Sequence, residues 1–253
     1  MAAPPKILSL DICSDYYLAT YGASGDIIYT NQGKDGYSLP IQPPKNAPSH
    51  KGSLEEIIQY NPDIILQTSL SYGSVAKKIQ KYPFLSIKLP WATSLEQLES
   101  IFLQLNTITH GHALEDYYGK MATITGQKLT KIAKNGLLLG PNGFTIKQGT
   151  HYDIFFETAQ IQNYYPDQGY GKISLEEIIR TPPDYIITIT HDKNRPQLAN
   201  GIFNNNILKK LNIPIFDISD SFTICPSLEL AMAGLKVRKK IEQLQTNQGD
   251  SND

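Results

Sequence analysis

Residues 53–65 read Ser-Leu-Glu-Glu-Ile-Ile-Gln-Tyr-Asn-Pro-Asp-Ile-Ile, and residues 174–186 read Ser-Leu-Glu-Glu-Ile-Ile-Arg-Thr-Pro-Pro-Asp-Tyr-Ile. The two stretches are identical at nine of thirteen positions and lie 174 − 53 = 121 residues apart, close to half of the 253-residue chain. An internal repeat with such a long period is typical of a duplicated structural unit. The sequence therefore predicts two related halves.

Each copy of the repeat predicts a short helix that leads into a buried strand. Residues 53–56 and 174–177 fit the Ser-x-x-Glu capping box, which satisfies free N–H groups at the start of a helix. Pro62 and Pro183 end the helices, since proline cannot continue one. A continuous apolar run, suited to a parallel strand buried on both faces, follows in each copy at residues 64–66 and 185–189.

The remaining sequence repeats this alternation of strands and helices, which favours an α/β fold. Further strands are predicted at 6–10, 85–89, 136–139 and 214–218, and further helices at 93–110, 150–159 and 226–244. The tail at 245–253 has no apolar residue and is expected to be disordered.

The stretch 113–134 has no proline and carries regularly spaced apolar residues, so one helix is predicted there. At 1.5 Å per residue such a helix would run on the order of 30 Å. The expected organisation is an N-terminal α/β lobe at 1–112, a bridging helix at 113–134 and a C-terminal α/β lobe at 135–253. The predicted fold class is thus α/β, with two Rossmann-like lobes joined by a long rigid helix.

Composition excludes some classes of function. The net charge of −1 provides no basic face for nucleic acid. No apolar run reaches the roughly 20 residues that span a bilayer, and no signal peptide is visible at the start. The phosphate-binding P-loop, the G-x-S-x-G elbow and a G-x-G-x-x-G turn after a strand are all missing from the sequence.

Four segments in this order resemble one known family. The opening Lys-Ile-Leu-Ser-Leu-Asp at 6–11, the paired segments at 53–65 and 174–186, and residues 222–231 with Pro226 before the last helix are similar to periplasmic substrate-binding proteins of cobalamin and ferric-siderophore ABC importers. These are the class III, helical-backbone binding proteins. The family's usual glycine-rich turn before the first paired helix is replaced here by Pro-Pro-Lys-Asn-Ala-Pro at 43–48.

The resemblance implies a binding protein rather than an enzyme. It implies a monomer in the periplasm, with any leader already removed, that binds a cobalamin-, siderophore- or haem-type metal chelate between its lobes and delivers it to a permease dimer. No cofactor is expected. Two alternatives stay open: an α/β enzyme, or a protein that binds a metal ion directly, on a related two-lobe fold.

Loops beyond the carboxyl ends of strands are where α/β lobes bind ligands. Such loops hold polar residues, among them Asp11, Ser14 and Asp15, and aromatic walls that suit a small molecule. The candidate ligand-binding residues are Tyr16, Tyr17, Tyr72, Trp91, Phe144, Tyr170, His191, Arg195 and Phe222.

The five histidines are His50, His110, His112, His151 and His191, and their spacing shows no convergent set of ligands for a metal. We therefore expect solvated loop histidines and no protein-held metal.

Two further pairs complete the predictions. The resemblance implies that Glu55 and Glu176, one in each repeat, dock onto the two permease subunits, while Glu56 and Glu177 serve as capping-box partners. Without the resemblance, all four would be explained as acids that stabilise a helix N-terminus. Cys13 and Cys225, the only cysteines, are either two buried thiols or one long-range disulfide.

Overall fold

The computed structural model describes residues 4–22, 26–32, 39–71, 73–109, 113–126, 131–190, 208 and 210–249. The chain divides into two compact units. The first comprises Met1–Ala92 and Glu96–Met121, and the second comprises Thr93–Leu95 and Ala122–Asp253. The boundary between the units falls inside a helix, after Met121.

The first unit is built on a parallel sheet. Its strands are β1 (Ile7–Ser9), β2 (Ile27–Thr30), β3 (Ser49–His50), β4 (Ile64–Gln67) and β5 (Leu85–Lys88), in the spatial order β3-β2-β1-β4-β5. All four neighbouring pairs are parallel. Its helices are α1 (Ile12–Tyr21), α2 (Leu54–Tyr60), α3 (Gly73–Ile79), α4 (Leu95–Thr109) and α5 (Ala113–Thr125).

Two groups of side chains fill the first unit. Leu8, Ile28 and Ile65 from the central strands pack with Ile57 of α2 and Ile79 of α3. A chain of aromatic ring contacts links α1, α4 and α5, and its members are Tyr16, Tyr17, Tyr21, Phe102, Tyr117 and Tyr118.

The second unit has a mixed sheet. Its strands are β6 (Asn135–Leu139), β7 (Phe144–Ile146), β8 (Gln162–Asn163), β9 (Tyr170–Lys172), β10 (Tyr185–Thr190) and β11 (Ile215–Ser219). The spatial order is β11-β10-β6-β7-β9, with β8 also paired to β6. Strands β11, β10, β6 and β8 pair in parallel, whereas β7 is antiparallel to both β6 and β9.

Helices cover both faces of this second sheet. They are α6 (Asp153–Ala159), α7 (Leu175–Arg180) and α8 (Leu228–Gly249). On one face, Ile187 and Phe216 pack with Phe155 of α6 and Val237 of α8. On the other face, strand residues pack with α7 and with the segment before β11: Leu137, Leu139, Ile178, Ile186 and Leu208. Such burial on both faces explains why the strand at 185–189 reads as a continuous apolar run.

Helices α8 and α6 approach each other closely at a glycine. A Cβ atom added to Gly234 of α8 would overlap the hydroxyl oxygen of Thr158 and the carbonyl oxygen of Phe155 in α6. Only a residue without a side chain allows this contact between the two helices.

The repeat forms the predicted helix–strand pair in each unit, namely α2 with β4 and α7 with β10, and the two strands belong to different sheets. The single helix predicted over 113–134 was wrong at its C-terminal end. Helix α5 ends at Thr125, Gly126 lies in a turn, and residues 131–134 are not helical. The β-branched residues at 123–125 followed by glycine account for this, since both lower helix propensity.

The C-terminal tail also differs from the prediction, because α8 continues through residues 245–249. That segment contains no helix breaker before its final glycine, and the Thr246 hydroxyl donates back to the Glu242 carbonyl oxygen at 3.2 Å. None of the helices described is long and apolar enough to cross a membrane.

Candidate functional site

A tight turn places Phe144 at the end of the second sheet. The chain leaves β6 through a 3-10 turn at Pro141–Gly143, where Asn142 and Gly143 have φ values of 56° and 72°. The Gly140 amide donates to the Phe144 carbonyl oxygen at 2.7 Å, which closes the turn. Phe144 therefore begins the antiparallel strand β7.

Tyr170 begins β9, directly after Gly169, whose φ of 96° is in the region that favours glycine. Strands β7 and β9 pair so that Ile146 lies opposite Tyr170, and Phe144 lies diagonally across from it. The Phe144 and Tyr170 rings stack with centroids 5.7 Å apart and planes 18° apart. They remain 38% and 54% exposed, so the pair presents an aromatic surface to solvent.

One residue not predicted from the sequence lies near this pair. Tyr152 is buried, and its burial raises its pKa to about 12, with smaller contributions from Tyr170 and Asp220. Burial also raises the pKa of Tyr170. Tyr152 and Tyr170 are therefore neutral near neutral pH, and the surface is aromatic. Tyr152 carries no periodic signal that could have identified it.

Two other predicted ligand residues, Trp91 and Phe222, each lie just beyond the end of a strand. Trp91 is half-buried and follows β5, as the sequence predicted. Phe222 lies in the 3-10 turn after β11, half-buried against the core of the second unit, and borders a depression beside α8. Tyr72, His191 and Arg195 lie outside the described residues.

Tyr16 and Tyr17 were expected in an exposed loop, and this expectation was wrong. Both lie in α1 and are 0% and 1% exposed, with ring centroids 5.3 Å apart. Helix α1 is buried on nearly all sides, so its sequence lacks the amphipathic period that marks a surface helix. These two side chains offer no surface to a ligand.

Asp11 and Asp15, at the start of the same helix, accept hydrogen bonds that join it to neighbouring segments. Asp11 caps α1 by accepting from the Cys13 and Ser14 amides at 3.0 and 2.9 Å. Its carboxylate also accepts from the Thr68 amide at 2.6 Å and from the Ser71 hydroxyl, which ties α1 to the loop after β4.

Asp15, in the first turn of α1, accepts from the Thr30 amide at 2.9 Å and from the Thr30 hydroxyl. Burial raises the Asp15 pKa to about 6, because it penalises the charged form more than these hydrogen bonds favour it.

The expectation of solvated loop histidines was wrong for the two histidines that the structure describes. His50 is 1% exposed; the Gly52 amide donates to its Nδ1 at 3.0 Å, so Nε2 donates to the Ser9 carbonyl oxygen at 2.7 Å. His151 is 4% exposed, with Nε2 2.7 Å from the Thr223 carbonyl oxygen. Burial lowers the pKa of His50, and lowers that of His151 to about 4.

Both histidines are therefore neutral structural residues near neutral pH. Within the described ranges, no three His, Cys, Asp or Glu side chains are grouped so as to hold a metal ion. His110, His112 and His191 lie outside those ranges.

The two copies of Ser-Leu-Glu-Glu differ in how they use the second glutamate. Ser53 and Glu56 form the full capping box: Ser53 Oγ accepts from the Glu56 amide at 3.2 Å, and Glu56 Oε2 accepts from the Ser53 amide at 3.4 Å. Hydrogen bonds, first of all from the Lys51 amide at 2.9 Å, lower the Glu56 pKa.

In the second copy only half of the predicted capping box is present. Ser174 Oγ accepts from the Glu177 amide at 3.2 Å, but the Glu177 carboxylate accepts from the Tyr165 hydroxyl at 2.8 Å. A nearby tyrosine thus replaces the N-cap amide as its donor. The first glutamates of both copies, Glu55 and Glu176, are exposed.

The two cysteines are both buried and neither is a free thiol. Cys13 lies in α1 and Cys225 precedes α8, with exposures of 0% and 3%. Of the two predictions made for them, a pair of buried thiols is thereby excluded.

Neither a family model nor a curated protein matches the sequence. Solved structures do match, and they define the class of fold: it is the fold of periplasmic binding proteins from ABC importers. The periplasmic heme-binding protein HutB of Vibrio cholerae is 15% identical with a TM-score of 0.72, and the match covers 94% of this chain and 98% of HutB.

Two further structures have the same fold. The periplasmic vitamin B12-binding protein BtuF of Vibrio cholerae is 14% identical with a TM-score of 0.69, over 96% of this chain and 99% of BtuF. The molybdate-binding protein MolA of Haemophilus influenzae is 14% identical with a TM-score of 0.66, over 97% of this chain and 88% of MolA. The predicted α/β fold class is thus confirmed.

Proposed function

We propose that this chain is the substrate-binding component of an ABC importer. The observation that carries the proposal is the extent of the structural similarity, which takes in almost the whole of this chain and of each binding protein that it resembles. The same fold in those proteins holds heme, vitamin B12 or molybdate. The function is therefore binding and delivery, not catalysis.

The ligand class that we propose is a metal chelate of the cobalamin, siderophore or haem type. Its main support is the exposed stack of Phe144 and Tyr170, because flat aromatic surface suits a macrocycle or an aryl chelator. Trp91 and Phe222, both half-buried, are the other described residues that we include in the proposed ligand-binding set. Tyr72, His191 and Arg195 complete it from outside the described residues.

We further propose a periplasmic location and a permease dimer as partner. Glu55 and Glu176 are exposed on the first turns of α2 and α7 and make equivalent docking points, one on each unit. Two equivalent points suit two equivalent permease subunits. A monomer is sufficient for this arrangement, because each unit supplies one docking point.

A ligand screen tests the function. The purified protein is heated with cyanocobalamin, haemin, a ferric hydroxamate siderophore or molybdate, each at a fixed excess. A ligand present at about 100 times its Kd adds about 2.7 kcal/mol to the free energy of unfolding. We expect a clear rise in Tm, with a matching shift in the absorbance spectrum, for one of the three chelates.

The control and the contrary results are defined in the same screen. The free metal salts should not raise Tm. A response to molybdate alone would contradict the chelate class but retain the importer function. A response to none of the four, or equal responses to free metal salts, would contradict the proposal as stated.

A further inference from the structure

One edge of the second sheet is open in the part of the chain that the structure describes. Strand β11 is the last strand in the spatial order and pairs there only with β10. The Ile186 amide donates to the Pro214 carbonyl oxygen at 3.0 Å, which fixes the phase of this parallel pair. Peptide groups of alternate residues face the neighbouring strand, so those of Ile215 and Asp217 point outward.

A groove runs beside this open edge. It consists of two adjoining depressions between β11 and α8, of about 460 and 420 Å³, and Lys240 and Gln243 border both of them. The first is flanked on the strand side by Asp217–Ser219, and the second by Pro214–Phe216. The groove therefore follows the full length of β11.

The helical wall of the groove is positively charged. Lys236, Lys239 and Lys240 border it and are exposed, and their spacing of three and four residues puts them on one face of α8. The acid on the strand side is Asp217, whose carboxylate accepts a hydrogen bond from the Thr188 hydroxyl. Three lysines thus border the groove, and Asp217, the one acid among its lining residues, already accepts a hydrogen bond.

Lysines on an exposed helix usually do no more than solvate it, and near an open strand they can prevent aggregation. Two features favour a binding role here. The lysines border a groove beside a strand edge that pairs with no other strand among the described residues, and the outer end of the groove has exposed apolar surface at Ile215 (43%) and Leu244 (39%). An open strand beside a helix can receive an extended peptide as an added strand.

We infer that this groove binds an extended acidic segment of a partner protein. The segment pairs with the outward peptide groups of β11, its carboxylates meet Lys236, Lys239 and Lys240, and its apolar side chains cover Ile215 and Leu244. Positive groove and acidic segment are complementary in charge, which gives the site its specificity. The inference does not depend on the identity of the transported ligand.

The test uses a fluorescein-labelled peptide of alternating glutamate and valine, with its affinity for the full chain measured by fluorescence anisotropy. We expect the triple variant Lys236→Glu/Lys239→Glu/Lys240→Glu to bind at least about tenfold more weakly. The matched control is Lys77→Glu/Lys78→Glu/Lys81→Glu, which reverses three exposed lysines in or next to α3 and changes the net charge equally. It should keep the wild-type affinity.

A second variant tests strand addition itself. Ile215→Pro removes an outward amide but leaves the bonds of β11 to β10, and it should weaken binding, whereas Ile215→Val should not. Bound peptide should slow amide hydrogen exchange at Ile215 and Asp217. Equal loss in both triple variants, unchanged binding by Ile215→Pro, or binding to phosphatidylglycerol vesicles in place of the peptide would overturn the inference. So would a homodimer formed through β11 in solution.

Discussion

Phe144 and Tyr170 stack at 5.7 Å on neighbouring antiparallel strands while both rings stay open to solvent. Two such rings gain more from burial than from stacking in water, so their exposure is costly unless a partner covers them. We therefore propose that a flat ligand covers this pair.

Replacing Tyr170 with alanine should therefore weaken binding of the chelate found in the screen by about tenfold, because it removes one of the two rings. The control is Tyr82→Ala. Tyr82 also stacks on a phenylalanine, Phe84, with centroids 5.9 Å apart, and is 37% exposed. Isothermal titration calorimetry should show weaker binding for Tyr170→Ala alone. Equal affinities for the two variants would refute the assignment of the pair to the ligand site.

Reversing the charge of Glu55 and Glu176 should abolish docking to the permease and leave ligand affinity unchanged. Both carboxylates are exposed. Hydrogen bonds with its own amide and with the Ser174 hydroxyl lower the pKa of Glu176, so this side chain also contacts the N-cap of α7. Docking is measured by co-purification of the binding protein with its permease reconstituted in nanodiscs. Reversal of the exposed Glu96 and Glu157 makes the same change in net charge and should dock normally. Normal docking by the Glu55 and Glu176 double variant would rule out this pair.

Gly234→Ala should destabilise the second unit by about 1–3 kcal/mol, because the new methyl group would overlap α6. Gly119 gives the opposite result. It lies in α5 with nothing within 4 Å of an added Cβ, so Gly119→Ala should stabilise by up to about 1 kcal/mol through helix propensity. Urea unfolding of both variants measures the two values. The same sign for both would show that the close approach of α8 and α6 is wrong.

The raised pKa of Asp15 predicts a pH dependence of stability. Folding shifts it from 3.8 to about 6, so the folded state holds a proton that the unfolded state has released in this range. Its stabilising contribution, about 3 kcal/mol, is complete below about pH 4 and is lost as the pH rises through 6. Asp15→Asn should abolish this fall.

Chemical unfolding between pH 4 and 7 tests this, with the exposed Glu96→Gln as a control that keeps the wild-type slope. His151, with its pKa lowered to about 4, acts in the opposite sense, since its contribution is lost as the pH falls. The test therefore compares the free energy of unfolding of the wild type with that of Asp15→Asn at each pH. A difference between the two proteins that stays constant from about pH 4 to about pH 7 would contradict the prediction.

We also predict that Cys13 and Cys225 form one disulfide. It would close a loop of roughly 210 residues, and in the chain-entropy model such a bond stabilises by up to about 5 kcal/mol before strain. Reductant should lower the Tm of the wild type, whereas Cys13→Ser/Cys225→Ser should be indifferent to it. Alkylation followed by mass spectrometry counts free thiols before and after reduction. Two free thiols before reduction would disprove the bond.

Local signals in the sequence predicted much of the fold. The repeat placed α2, β4, α7 and β10 correctly, because a capping residue, an apolar face and a terminating proline are all encoded within a few residues. Helix α1 gave no such signal, since it is buried on nearly every side and has no polar face to reveal its period.

The candidate site was harder to predict, because it depends on contacts between distant residues. Phe144 and Tyr170 were both among the candidates, but only the pairing of β7 with β9 brings their rings together across 170 − 144 = 26 positions. Tyr16 and Tyr17 carry the same side chain as Tyr170, yet they are core residues. Composition cannot tell a wall of a ligand site from packing when tertiary contacts decide the exposure.

The mixed pairing of the second sheet separates two properties of the molecule. Parallel strands β6, β10 and β11 carry its buried core, whereas Phe144 and Tyr170 begin the two antiparallel strands added at the side. We therefore propose that exchanging the exposed Phe144 and Tyr170 for the residues of a related protein changes ligand preference, because neither ring belongs to the buried core, whereas Ile146 of the same strand does. On this proposal, the residues that set ligand preference are separate from the residues that stabilise the second unit.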